Sequence, residues 1–63
     1  MTEVTIKFNG RQSGAIGHTH DLTIQIKSPY GVFTRDLAVS LVNAAGYEVN
    51  HIKSVHKGSV QIL

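Results

Sequence analysis

An α+β fold of order ββαββ is predicted by three features of this chain. Two stretches near the N-terminus alternate apolar and polar residues. One central stretch carries apolar residues at helical spacing, and two more alternating stretches follow it. The expected product is a four-stranded, mostly antiparallel sheet with one helix packed on one face, forming a single small α+β domain over residues 1–63.

The first strand is read from Thr2 to Phe8, with Val4, Ile6 and Phe8 on one face and Glu3, Thr5 and Lys7 on the other. Asn9-Gly10 is a turn dipeptide, and residues 11–17 read as a loop with glycine at positions 10, 14 and 17. In the second strand His20, Leu22, Ile24 and Ile26 share one parity, and Asp21, Thr23, Gln25 and Lys27 the other. Ser28-Pro29-Tyr30-Gly31 ends it, since proline lacks a donor and glycine permits a turn.

Thr34 is the expected helix N-cap, and Asp36 places a negative charge in the first turn, where the helix end is positive. Leu37, Ala38, Leu41, Val42, Ala44 and Ala45 form the apolar face of a helix over 35–45, with Val39 off the stripe and Gly46 as its stop. From Tyr47 to Val55 the alternation breaks: Tyr47 and Val49 share a face, but Ile52 is on the other. A bulge near His51–Lys53 reconciles them, and a shorter strand ending near Ile52 is the alternative. His56 to Ser59 supplies a turn, and Val60 and Ile62 alternate in a last strand. The expected core is Val4, Ile6, Phe8, Leu22, Ile24, Ile26, Leu37, Leu41, Ala45, Val60 and Ile62.

This order of elements resembles the β-grasp architecture of ubiquitin-like and immunoglobulin-binding domains, which implies first and last strands side by side at the centre of the sheet. The competing arrangement places the third strand beside the first. Gly31-Val32-Phe33-Thr34-Arg35 is similar to the helix-opening Gly-x-His-x-Arg-Pro of sugar phosphotransferase phosphocarriers. Here Phe33 stands for the phosphorylated histidine and Asp36 for the proline, so that chemistry is absent.

At 63 residues and 41% hydrophobic, with no cysteine, the chain has a small core and no disulfide to supplement it. Charged residues make up 16%, too few for the usual disordered composition, and the net charge is only +2. The N-terminus has neither the basic nor the apolar region of a signal peptide, and no apolar run approaches the ~20 residues of a membrane span. A cytoplasmic protein without membrane association is expected.

No enzymatic function is expected: cysteine is absent, no serine sits on a recognisable elbow, and a chain this short has little room for an active-site pocket. The glycine-containing loop matches neither G-x-G-x-x-G nor the P-loop pattern, so no cofactor is expected. His18 and His20 share a strand face and could grip one ion, but a zinc site needs three or four converging ligands, and no metal is expected.

What remains is a small binding module acting through protein–protein contact. Arg11, Ile16, His18, His20 and Tyr47 are its candidate contact residues. Chains of this size are frequent among accessory products of phages and mobile elements that bind and modulate one host protein. The alternative is nucleic-acid binding on the open sheet face through Lys7, Thr23, Gln25, Lys27 and Lys53, with Thr5 beside them. A homodimer is expected as well. Ordering costs about 1.5 kcal/mol per residue, which so thin a core barely offsets. Ile16 and the edge next to Tyr47–Val55 are its expected contacts, and the second strand is the other free edge if the β-grasp order holds.

Overall fold

The computed structural model describes residues 2–29 and 34–63. The elements occur in the expected order: β1 (Thr2–Gln12), β2 (His20–Ser28), α1 (Arg35–Ala44), β3 (Tyr47–Lys57) and β4 (Val60–Gln61). Tyr30 and Gly31 of the expected turn after β2, and Val32 and Phe33 of the phosphocarrier-like stretch, lie outside the described residues.

The four strands form one antiparallel sheet in the order β2-β1-β3-β4. The β-grasp-like order is therefore not adopted; β3 lies beside β1. Length explains the choice. The eleven residues of β3 pair β1 from Thr5 to Gln12, whereas β4 has two residues and meets only His56 and Lys57. The chain end continues that contact through Ile62 N–H donating to the Val55 carbonyl at 2.8 Å.

Asn9-Gly10 does not turn. β1 runs on to Gln12, and the reversal comes at residues 13–15, where Ala15 N–H donates to the Gln12 carbonyl at 3.0 Å. Gly10 is inside the ladder, facing His20 on one side and Val49 on the other. A Cβ at Gly10 would collide with the Glu48 carbonyl and come within 3.0 Å of the Phe8 ring, so glycine here serves close approach, not a bend.

The alternation of β3 breaks because of two bulges. Lys7 pairs Ser54 while Phe8 pairs Ile52, leaving Lys53 extra. Asn9 pairs His51 while Gly10 pairs Val49, leaving Asn50 extra. Each extra residue shifts side-chain parity by one. Tyr47, Val49, Ile52 and Val55 thereby all join the face of Phe8, and the expected bulge near His51–Lys53 is present.

The helix begins as its sequence dictates. The Thr34 hydroxyl accepts from Leu37 N–H at 3.2 Å, and Gly46, at φ 99°, follows the Ala45 C-cap in a backbone region that favours glycine. Ala38 and Val42, four residues apart, are fully buried against Val4, Ile6, Phe8, Ile52 and Val55. Val39 and Leu41 flank them, so the buried stripe is rotated from the expected one. Leu37 is half-buried and outside the cluster, and Ala45 is exposed because the helix has already ended. Val60 and Ile62, also expected in the core, are 61% and 36% exposed, since the short β4 at the sheet margin leaves them in solvent.

The helix rests mainly on β3. Leu22, Ile24 and Ile26 of β2 face the same side but stay half-exposed. Among the described residues, no helix is long and apolar enough to cross a membrane.

Candidate functional site

The register separates the chemistry of the chain onto two faces. On the face away from the helix, β1 presents Glu3, Thr5, Lys7, Asn9 and Arg11. Cross-strand pairing sets Lys27, Gln25, Thr23 and Asp21 beside the first four. His56, Ser54, His51 and Glu48 of β3 stand opposite Thr5, Lys7, Asn9 and Arg11.

A hydrogen-bonded network occupies the middle of that face. Asn9 Nδ2 donates to Asp21 Oδ1 at 3.1 Å, Asn50 Nδ2 donates to Asn9 Oδ1 at 3.0 Å, and Lys53 Nζ donates to Asp21 Oδ2 at 2.9 Å. The bulges supply two of these groups, Asn50 and Lys53, over the pair Asn9–Asp21. The bonds from Lys53 and Asn9, together with the ammonium charge, hold the Asp21 carboxyl below its usual pKa. Farther along, Arg11 Nε donates to Glu48 Oε2 at 2.6 Å and Arg11 Nη1 to the Gly17 carbonyl at 2.8 Å. The second bond fastens the loop after β1 to the sheet.

Those pairings weaken the nucleic-acid surface anticipated from the sequence. Lys7, Thr23, Gln25 and Lys27 do lie exposed on this face. Lys53 reaches it too, but its charge is already matched by Asp21, and that of Arg11 by Glu48. No described aromatic side chain lies on this face; Phe8 and Tyr47 are both on the helix side, ring centroids 5.7 Å apart in an edge-to-face contact.

The other candidates converge. Arg11, Ile16, His18, His20 and Tyr47 all line one cleft of about 360 Å³ at the loop end of the sheet. Gln12, Ala15 and Leu22 complete its wall. Tyr47 is held from beneath by Phe8, while Leu22 and His20 project from β2 on the same face. Ile16, at the loop tip, is fully exposed. The cleft thus combines an apolar floor, two imidazoles and an arginine rim. Gln12, Ala15 and Leu22 were not anticipated as contacts; strand parity already put Leu22 on the face of His20, but the length of β1 that brings in Gln12 was hidden by the Asn9-Gly10 signal.

His18 and His20 have no third histidine or carboxylate converging with them: among the described residues no group of three such ligands exists. No protein-family model, curated protein or solved structure matches this chain.

Proposed function

We propose that this chain is a non-enzymatic binding module that docks a partner protein at the cleft between the β1–β2 loop and Tyr47. The observation that supports it best is Ile16, a fully exposed isoleucine beside a cleft with an apolar floor. An exposed large apolar side chain at such a rim suits protein contact, where aromatic and apolar anchors fill pockets. The polar rim of Arg11, His18 and Gln12 would set orientation. A cytoplasmic setting belongs to the same proposal, on the cysteine-free composition.

Nucleic-acid binding is the second reading, and the exposed Lys7, Lys27, Thr23 and Gln25 favour it. Acidic partners on Arg11 and Lys53 count against it. The experiment is capture from lysate with three baits. The wild type is expected to retain a discrete protein, Ile16→Asp to lose it, and Lys7→Glu with Lys27→Glu to keep it. Equal retention by Ile16→Asp, or none by the wild type, overturns the proposal.

A further inference from the structure

We propose that β2 is a self-association edge: two copies pair their second strands antiparallel about a two-fold axis at Ile24, which joins their sheets into one. The inference goes beyond the cleft proposal and does not depend on it, although Leu22 and His20 lie where the two surfaces meet.

Two parts of the sheet margin are open to pairing, and they differ. The outer edge of β3 is interrupted by the bulges at Asn50 and Lys53, and bulged edges twist away from regular pairing. Among the described residues β2 has no such protection. It pairs β1 over nine consecutive residues with no register shift, and it contains neither proline nor glycine. A long, regular edge strand is a template for another chain. Its helix-side residues Leu22, Ile24 and Ile26 are half-exposed beside the core, as a partly uncovered interface would be.

The sequence of β2 identifies a second copy as the occupant. In an antiparallel pairing centred on Ile24, Leu22 faces the partner's Ile26, and Ile24 faces its own equivalent. All these side chains fall on the helix side and make one apolar strip between the two helices. On the opposite face Thr23 meets the partner's Gln25, and Asp21 meets the partner's Lys27. The symmetry repeats both contacts, so the ladder spans Asp21 to Lys27; Ser28, buried in its own protomer, lies beyond it. Lys27, the kind of charge that normally discourages edge pairing, meets in this register the exposed Asp21 carboxylate, which also accepts from Lys53 in its own protomer. Inside its own protomer Lys27 faces Glu3, which would leave it between two carboxylates.

Sedimentation equilibrium tests this, with circular dichroism to check folding. The wild type is expected at twice its 6.8 kDa mass at about tens of micromolar. Lys27→Asp, on an exposed residue, should weaken dimerisation about ten-fold or more, because two opposite-charge contacts become like-charge ones. Ile24→Lys, which sets two ammonium groups face to face at the two-fold axis, should weaken it as well. A wild type that is monomeric throughout overturns the proposal. So does a dimer indifferent to Lys27→Asp, or a folded Ile24→Lys variant that dimerises as the wild type does. Amide hydrogen exchange gives an independent reading on the wild type alone: β2 amides should become more protected as concentration rises, and concentration-independent exchange in β2 also overturns it.

Discussion

At Gly10 the ladder has no room for a side chain, because the Phe8 ring and the Glu48 carbonyl occupy the space a Cβ would take. Gly10→Ala should therefore cost about 1–3 kcal/mol through overpacking, read as a lowered midpoint in urea. A variant as stable as the wild type would mean the strand bends elsewhere. Asp21 carries a pH dependence. Its folded pKa lies below the unfolded value, so its contribution is fully present above about pH 4 and fades as pH falls through the lowered folded value. Lys53→Ala should raise the Asp21 midpoint in an NMR titration towards the ordinary carboxylate value; an unmoved midpoint would remove Lys53 as the main cause. At His56, the buried Nδ1 finds no hydrogen-bond partner among the described residues. Replacing it by an apolar ring, His56→Phe, should be neutral or stabilising by about 1 kcal/mol, and a loss of stability of that size would reveal an unrecognised partner. Of these features the sequence displayed the residue types but not their neighbours. Asn9-Gly10 looked like a turn because local propensity favours one, and only the tertiary pairing of both its flanks overrides that preference.

Among the elements, β3 is the one whose irregularity does the most. Two extra residues let four apolar side chains spaced 2, 3 and 3 apart share one face, and one of those insertions, near His51–Lys53, was legible in the broken alternation. Deleting Lys53 should leave a regular ladder in which Phe8–Ile52, Lys7–Ser54 and Ile6–Val55 stay paired, because the residue removed is the one without a partner on β1. The deletion is expected to keep cooperative melting; a loss of cooperativity would show that the bulge itself, and not only the register, is needed. In α1 the boundaries, the cap and an apolar face holding Ala38, Leu41 and Val42 were readable, but which residues of that face reach the core was not. Ala and Val at 38 and 42 are buried while Leu37 is not, because the sheet's large side chains, Phe8 above all, leave space only for small ones beneath the helix. Val42→Ala should thus cost about 2 kcal/mol or more, and Leu37→Ala clearly less, in paired thermal melts. The reverse ranking would return the buried stripe to Leu37.

For the whole molecule, strand order decides which chemistry is displayed where. With β1 and β3 at the centre, β2 is left as a long edge and the loop after β1 lies against Tyr47, so the five candidate contact residues share one cleft. Element order alone admitted two arrangements. The choice between them followed from the eleven-residue length of β3 against the two residues of β4, which bulges and an uneven apolar pattern concealed. At roughly 0.05–0.15 kcal/mol per residue the domain has only about 3–9 kcal/mol to lose, so most core changes named above approach its unfolding threshold. The proposed function makes the helix side with its cleft the working surface and the paired polar face a solvated scaffold. Fluorescence anisotropy with labelled single- and double-stranded DNA and RNA at low and high salt tests it without knowledge of the partner. No salt-sensitive binding at micromolar protein is the expected result. Binding that weakens steeply with salt and disappears in Lys7→Glu with Lys27→Glu would contradict it and make the polar face the functional one.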